Sequence, residues 1–283
     1  MSASGAAFAE RQYNLRAAFP DHVEWFARWA ADSAQARAAI RVVRDVRYGP
    51  GAKQTLDLFP AERPRGALLF IHGGYWRALD KDDHSFVAPP YVAEGIGVTV
   101  VNYDLCPEVS VAHITEECRQ AVEWLIRHGA THGVPAEHLI VAGHSAGGHL
   151  TAMMFATDWK GRGMSPAAIS GGVAISGVFD LEPLVEVSFN CDLHLDRQSA
   201  RESSPAFLAP LVDAPLLLAA GADETGEFLR QSRALWECWP RCRPAGADGP
   251  LFVRRKHHFS VLTDFADPVS ALFGRTMDIF APR

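Results

Sequence analysis

The 283-residue sequence lacks clustered positive charge. Its 27 lysine and arginine residues are outnumbered by 33 aspartate and glutamate residues, which gives a formal net charge of -6 at pH 7. No run rich in lysine and arginine interrupts this balance. Because a nucleic-acid surface needs clustered cations to meet the phosphates, we expect no nucleic-acid partner.

Long hydrophobic runs are also missing. A charge-free stretch at residues 163–179 is broken by glycine, serine and proline, and it is too short and too polar to span a bilayer. The first twelve residues carry no basic start followed by an apolar stretch, which is the pattern of a secretory signal. We therefore expect no membrane association and predict a cytoplasmic protein.

Cysteine is scarce and irregularly spaced. The five cysteines are odd in number, which favours reduced thiols over a disulfide framework. Cys238 and Cys242 form a close pair, but their separation is not a usual zinc or redox spacing. The segment Cys191–Asp196 contains a histidine without a paired-ligand spacing. We predict that the protein holds no metal and no cofactor.

The sequence does contain an alternation of apolar strands with helices. The predicted strands are IRVVRDVRYG, QTLDLFP, GALLFIH, GVTVVNY, HLIVAGHS, GGVAISG, APLLLAAG and LFVRR. Helices are predicted over Ser85–Glu94, Ile114–Ile126, AGGHLTAMMFA, FLRQSRALWECW and Asp267–Phe280. Near-continuous apolar strands that alternate with helices predict an α/β fold, with a mostly parallel central sheet and helices on both faces.

Length and composition are compatible with a single domain over residues 1–283. A hydrophobic content of 48% is enough for a sizeable core. Within this domain we predict an N-terminal helical segment over residues 1–40, where Trp25, Phe26 and Trp29 are spaced for one helical face. We hypothesise that residues 180–210 form a cap over the site.

The pentapeptide Gly143-His144-Ser145-Ala146-Gly147 fits the pattern Gly-x-Ser-x-Gly. It follows a predicted strand and opens a predicted helix, the setting in which a sharp turn lifts a nucleophilic serine clear of a sheet. Glycines at both ends relieve the crowding that a Cβ atom would create at this turn. A chance glycine-rich turn is the alternative, but the strand before and the helix after favour Ser145 as a nucleophile.

A serine hydroxyl needs a base, and the base needs an acid that orients it. Around such a serine turn, the acid follows a late strand and the histidine lies in a loop near the C-terminus. Asp223 and Glu224 follow the predicted strand APLLLAAG, and His257 and His258 lie in RRKHHFSV. The sequence therefore offers serine, acid and histidine in the required order.

Acyl transfer also needs donors aimed at the oxyanion of the tetrahedral intermediate. The amide after the nucleophile, that of Ala146, is one candidate. Gly73 and Gly74 follow a predicted strand well before the serine, and glycine lets the backbone turn its N–H groups towards a substrate oxygen. We predict that these three residues form the oxyanion hole. A simple turn at the strand end is the alternative for the glycines.

Five motifs together resemble the α/β-hydrolases, and within them the branch of the kynurenine formamidases (arylformamidases). The motifs are HGGYW, NYDLCPE, AGHSAGGHL, GADETGEFLRQS and KHHFSVL, within the region from about Leu68 to Leu262. The resemblance implies a catalytic triad of Ser145, His258 and Glu224, with Asp223 as the alternative acid. Many relatives carry aspartate at the acid position, so a glutamate there departs from their pattern.

The resemblance also implies a reaction. This reaction is the hydrolysis of a small-molecule N-formyl arylamide, such as N-formylkynurenine, through an acyl-enzyme on the serine. A carboxylesterase acting on short-chain esters is one alternative, and a non-catalytic binding protein on the same scaffold is another. The sequence does not indicate an oligomeric state.

Two aromatic residues follow the oxyanion glycines. We predict that Tyr75 and Trp76 bind substrate, either as walls of a tight pocket or by stacking on an aryl group. Core packing against a neighbouring helix is the alternative for both. No arginine or lysine is obviously placed to bind an amino-acid carboxylate.

Overall fold

The chain begins with a helical segment. A computed structural model describes residues 3–281, so residues 1, 2, 282 and 283 of the predicted domain lie outside the described part. The first helices are α1 (Ala3–Tyr13), α2 (Leu15–Ala18) and α3 (His22–Ala39). In α3, Trp29 is buried, and the partly buried Trp25 and Phe26 pack against the core, which confirms the predicted helical face.

Eight strands form the central sheet. They are β1 (Val43–Arg47), β2 (Thr55–Phe59), β3 (Gly66–Ile71), β4 (Ile96–Val101), β5 (Leu139–His144), β6 (Gly171–Ile175), β7 (Leu216–Gly221) and β8 (Leu251–Val253). Their order in the sheet is β1-β2-β4-β3-β5-β6-β7-β8. The pairs β1–β2 and β2–β4 are antiparallel, and the other neighbours are parallel. The predicted α/β fold with a mostly parallel sheet is confirmed.

Helices connect the parallel strands, as the parallel pairing requires. After the first three, they are α4 (Ala88–Ala93), α5 (Val111–His128), α6 (Ala146–Phe155), α7 (Asn190–Leu193), α8 (Arg197–Glu202), α9 (Gly226–Cys238), α10 (Val261–Phe265) and α11 (Ala271–Phe280). The last helix begins later than the predicted Asp267, because the Ser270 hydroxyl accepts the Phe273 amide and caps the first turn. Among residues 3–281, no helix is long and apolar enough to cross a membrane.

Two neighbouring glycines of β6 show that helices cover both faces of the sheet. A Cβ atom on Gly171 would lie 2.3 Å from the Ile279 side chain of α11. One on Gly172 would lie 2.5 Å from the Phe155 side chain of α6. Because successive residues of a strand point to opposite faces, α11 and α6 lie on opposite faces.

The strand register brings several loops to one edge of the sheet. Ile71 at the end of β3 pairs with Gly143, and His144 at the end of β5 pairs with Ile175. The carboxyl ends of β3, β5, β6, β7 and β8 therefore point the same way and lie in sequence along the sheet. Ligands bind beyond this edge in open α/β sheets, and the predicted site residues lie in the loops that leave it.

Candidate active site

Ser145 occupies a strained turn between β5 and α6, with φ 57° and ψ -117°. A positive φ is uncommon for a residue with a Cβ atom, so tight packing must hold the turn. A Cβ atom on Gly143 would lie 2.2 Å from the Gly147 oxygen, and one on Gly147 would lie 1.9 Å from the Ile71 oxygen. Only glycine fits at these two positions, as the pentapeptide pattern predicts.

Backbone hydrogen bonds fix Ser145 from two sides. Its amide donates to the Ile175 carbonyl at the end of β6, at 2.8 Å. Its carbonyl accepts from the His149 amide in α6, at 3.1 Å. Ser145 is only 4% exposed, and it lines a small cavity.

A buried acid and a buried histidine form a hydrogen-bonded pair. Nδ1 of His258 lies 2.8 Å from Oε2 of Glu224, and both side chains are almost fully buried. The other carboxylate oxygen of Glu224 accepts from the Gly221 amide at 2.7 Å and from the Ser176 hydroxyl at 2.5 Å. These bonds hold the carboxylate in place. Because Nδ1 of His258 faces Glu224, Nε2 is the ring nitrogen that is not bonded to the acid. His258 and Ser145 both line the cavity.

The neighbouring acid and histidine are placed differently. Asp223 is exposed, and its backbone amide donates to the Lys256 carbonyl at 2.9 Å. The ring of His257 stacks on Phe19 with 4.9 Å between centroids, and its Nε2 lies 3.2 Å from Asp21. The structure thus brings Glu224, rather than the alternative acid Asp223, to His258.

His144 is a site residue that sequence reasoning missed. Its Nε2 donates to the backbone carbonyl of His258 at 2.8 Å, and the two rings lie 4.7 Å apart. Burial holds the pKa of His144 well below its usual value, and the neighbouring His258 lowers it further. The neutral ring therefore supports the loop that carries His258. The signal in the sequence that could have identified His144 was its position directly before Ser145.

The loop after β3 packs directly against the serine turn. Gly74, Tyr75 and Trp76 all have positive φ, of 105°, 51° and 58°. A Cβ atom on Gly73 would lie 3.1 Å from Cβ of Ser145, and one on Gly74 would lie 2.0 Å from the Ala78 oxygen. Both glycines are therefore needed for the shape of the loop and for its close approach to the serine.

Three backbone amides near the serine lack protein acceptors. Within the described residues, the amides of Gly73, Gly74 and Ala146 donate to no backbone or side-chain oxygen. Ala146 also begins α6, where the first amides have no partner in the helix. Unpaired amides on two sides of a serine are suited to hold the oxyanion of an acyl-transfer intermediate.

His72 supports this loop from beneath. Its ring stacks on Tyr103 with 4.2 Å between centroids, and the Tyr103 hydroxyl donates to the His72 carbonyl at 2.8 Å. Nε2 of His72 lies 3.2 Å from Oδ1 of Asn102. Burial lowers the pKa of His72 to about 4, so the ring is neutral at pH 7.

The cavity is small, with a volume of about 40 Å³. Its walls come from the sheet edge, from the N-terminal helices and from the segment before α7. They are formed by Asn14, Leu15, Arg16, Phe26, Trp29, Gly74, Tyr75, Arg77, Leu79, His144, Ser145, Phe189, His258 and Phe259. Residues from three distant parts of the chain therefore enclose the serine.

The two aromatics of the loop after β3, Tyr75 and Trp76, lie in different surroundings. Tyr75 lines the cavity, and its hydroxyl donates to the Tyr13 carbonyl at 2.7 Å. Trp76 is fully buried outside the cavity lining and packs edge-on against His149, with 4.9 Å between ring centroids. The packing alternative therefore fits the position of Trp76.

Sequence reasoning also missed the cationic side chains at the cavity. Arg16 and Arg77 both line the cavity, although the sequence analysis identified no arginine or lysine placed to bind a carboxylate. Arg16 is separated from Ser145 by more than a hundred residues, so no local pattern links them.

Within residues 3–281, no group of three or more His, Cys, Asp or Glu side chains is arranged to hold a metal ion.

A family of known proteins shares this fold. Residues 68–217, more than half of the chain, match the model of a family described as the alpha/beta hydrolase fold. The chain therefore belongs to the α/β-hydrolases, a family of hydrolase enzymes. The resemblance drawn from the five motifs is confirmed at this level.

Individual relatives show which hydrolases this chain is similar to. The kynurenine formamidase of Danio rerio is 31% identical over 242 residues, which cover 82% of this chain and 80% of the relative. That of Salmo salar is 30% identical over 206 residues, covering 70% and 68%. A crystal structure from Silicibacter sp. TM1040, provisionally described as a thioesterase, is 33% identical with a TM-score of 0.82, and the match covers 94% of this chain and 98% of that one.

Proposed function

We propose that this hydrolase cleaves an N-formyl arylamide, such as N-formylkynurenine, with Ser145 as the nucleophile. The observation that carries the proposal is the buried hydrogen bond between Glu224 and His258, because His258 lines the same cavity as Ser145, a serine held in a strained turn. A histidine oriented in this way through Nδ1 presents Nε2 as a general base. The two formamidase relatives support the choice of a formyl amide.

The first half of the reaction forms an acyl-enzyme. Oγ of Ser145 attacks the formyl carbon while Nε2 of His258 accepts the hydroxyl proton. The carbonyl oxygen becomes an oxyanion and is held by amides of Gly73, Gly74 and Ala146. Glu224 stabilises the resulting imidazolium. His258 then gives its proton to the departing amine, the C–N bond breaks, and a formyl ester remains on the serine.

The second half repeats these steps with water. His258 takes a proton from a water molecule, whose oxygen attacks the formyl ester carbon. The same amides hold the new oxyanion. The C–O bond to Ser145 breaks, the serine regains its proton from His258, and formate leaves. In this mechanism every proton transfer uses His258, so no step requires a cofactor.

The size of the cavity favours a small acyl group. Formyl is the smallest acyl group, and a volume of about 40 Å³ beside Ser145 leaves little room for a longer acyl chain, so the larger amine part would extend towards solvent, where Arg16 is exposed. Tyr75 forms a wall that its hydrogen bond to the Tyr13 carbonyl holds in place. We propose that Tyr75 limits the acyl side. For Trp76, we propose an indirect role through packing beneath the oxyanion loop.

We infer that the chain forms one domain in which residues 180–210 cover the cavity. Phe189 in this segment lines the cavity, and Asp192 forms an ion pair with Arg77 of the oxyanion loop. These two contacts support a covering role for the segment. The N-terminal helices also line the cavity, through Leu15, Phe26 and other residues.

Hydrolysis of short-chain esters or thioesters is the second candidate. The observation in its favour is the 33% identical structure that is provisionally described as a thioesterase. Esters have better leaving groups than amides, so the same serine, histidine and oxyanion amides would suffice for them.

A substrate panel separates the two functions. We would measure kcat/KM for N-formylkynurenine and for the acetate, butyrate and hexanoate esters of p-nitrophenol, with Ser145→Ala as the blank. We expect the formamide to be preferred and the ester rates to fall as the acyl chain lengthens. Preference for butyrate or hexanoate would contradict the formamidase proposal, because such chains do not fit a formyl-sized pocket.

A further inference from the structure

The cavity beside Ser145 has an unbalanced charge, and this observation goes beyond the proposed function on which it rests. Among the residues that line the cavity, the permanently charged side chains are Arg16 and Arg77, and none is a carboxylate. Two guanidinium groups near one another repel, so each needs an anion or water to stabilise it.

Arg77 has an internal partner. Its Nη1 forms an ion pair with Asp192, and its guanidinium lies over the Phe189 ring at 5.2 Å from the centroid. The carboxylate balances the charge of Arg77, and the ring shields one of its faces. This arginine is therefore held as part of the wall.

Arg16 has no such partner. Within residues 3–281, its guanidinium forms no ion pair and no hydrogen bond, and it lies 5.9 Å from the Phe26 ring centroid. Partial burial and the nearby charge of Arg77 both lower the pKa of Arg16. Arginine does not lose its proton in proteins, so the group stays charged, and its exposed side chain can meet water or an incoming anion.

Glu10, an acid of the N-terminal helices, is already engaged. Glu10 accepts from the Ser188 amide at 2.8 Å and from Nδ2 of Asn14 at 2.7 Å. These bonds hold its carboxylate towards residues other than Arg16. The charge of Arg16 is thus available to an anion that enters the cavity.

We propose that Arg16 binds a carboxylate on the amine part of the substrate. A formyl group carries only hydrogen beyond its carbonyl, so any charge that the enzyme recognises must lie on the leaving group. The guanidinium fork matches a carboxylate with two parallel hydrogen bonds. N-formylkynurenine, the substrate proposed above, carries such a carboxylate on the amino-acid side chain of its aryl group.

The test compares two formamides, one with and one without this carboxylate. N-formylkynurenine carries the zwitterionic amino-acid side chain, and 2-formamidoacetophenone has the same reacting group without it. In Arg16→Gln, we expect the ratio of kcat/KM for the substrate with the carboxylate over the substrate without it to fall by about 10- to 100-fold, as for the loss of a charged hydrogen bond, mainly through KM. Arg16→Lys should restore part of the ratio.

Arg11→Gln is the matched control, because Arg11 is exposed in α1 and lies outside the cavity lining. It should leave the ratio of the two rates within about 2-fold of the unsubstituted enzyme. An unchanged ratio in Arg16→Gln would overturn the proposal. So would an equal loss on both substrates, since that would indicate a structural role.

A second pair of substrates separates this proposal from the proposed function. If the enzyme hydrolyses neither formamide, the formamidase proposal fails, and the ratio is measured with phenyl acetate and its analogue bearing an ortho propionate chain. An Arg16-dependent preference for the anionic ester would support anion recognition. Equal rates for the two esters would overturn it.

Discussion

Ser145 and Arg16 line the same cavity, but they are held there in different ways. Ser145 is fixed by hydrogen bonds to neighbouring strand and helix backbone, at a turn that only its glycine neighbours permit. Arg16 lies in α2, a helix of four residues. The chain just before that helix is held at Tyr13, the last residue of α1, whose hydroxyl donates to Glu227 at 2.8 Å and whose carbonyl accepts from Tyr75.

We infer that this difference separates catalysis from recognition. The residues at the sheet edge follow strand ends, so backbone pairing of the strands fixes where they lie. The residues of the N-terminal helices reach the cavity through side-chain contacts between distant segments. We infer that substitutions at the sheet edge mainly change kcat, whereas substitutions in the N-terminal helices mainly change which substrate binds.

The largest effect expected on the catalytic side is that of Glu224→Gln. The amide keeps the size of the side chain, but it no longer stabilises the imidazolium and favours the wrong tautomer of His258. We expect kcat for the preferred substrate to fall by about 10³- to 10⁴-fold. Asp223→Asn is the control, and because Asp223 is exposed it should lose less than about 3-fold. Similar losses in both variants would contradict the assignment of the acid.

The part of the site that the sequence predicts is the part with local geometric requirements. Gly143 and Gly147 predict the serine turn, because a Cβ atom at either position would collide with backbone atoms. The strands could be predicted because apolar residues fill them almost without interruption. The choice between Glu224 and Asp223 needed the structure, since adjacent residues differ in direction rather than in sequence context.

The rest depends on contacts between distant segments. Arg16 lies on a helix too short to show a periodic pattern, and nine of the thirteen other residues that line the cavity come from beyond residue 70. The bond from His144 to the His258 carbonyl joins residues 114 positions apart. Trp76 follows two cavity residues in sequence, yet its side chain turns into the core. No pattern along the chain encodes these directions.

A smaller effect is expected for Gly74→Ala. The new Cβ atom would lie 2.0 Å from the Ala78 oxygen at a backbone φ of 105°, so the oxyanion loop must shift. We expect kcat to fall by about 10²-fold, as when one oxyanion donor is displaced. Gly249→Ala is the matched control, because no heavy atom lies within 4 Å of its added Cβ. An active Gly74→Ala enzyme would exclude this loop from the oxyanion site.

The smallest effect concerns stability against acid. Burial lowers the pKa of His149 to about 4, whereas an unfolded histidine titrates near 6.5. Between these values the unfolded chain binds more protons, so the free energy of unfolding falls as the pH falls from about 6.5 to about 4. His72 and His84 act in the same direction, with pKa values of about 4 and about 3.

Urea unfolding at a series of pH values measures this dependence. In His149→Gln, which retains a donor for the Ser203 carbonyl, the slope should decrease by up to about 1.4 kcal/mol per pH unit. His128→Gln is the control, since His128 is exposed and should leave the slope as it is. Equal slopes in the unsubstituted protein and in His149→Gln would show that His149 does not stay neutral.

The central claim is that Ser145 is a nucleophile activated by the buried histidine and glutamate. The most direct measurement is labelling with a fluorophosphonate, followed by peptide mass spectrometry of the folded protein. We expect a single phosphonylated serine at Ser145, with labelling much slower in Glu224→Gln and absent in Ser145→Ala. Folded protein that takes no label, or that takes it at another serine, would contradict the account and favour a binding protein on a hydrolase scaffold.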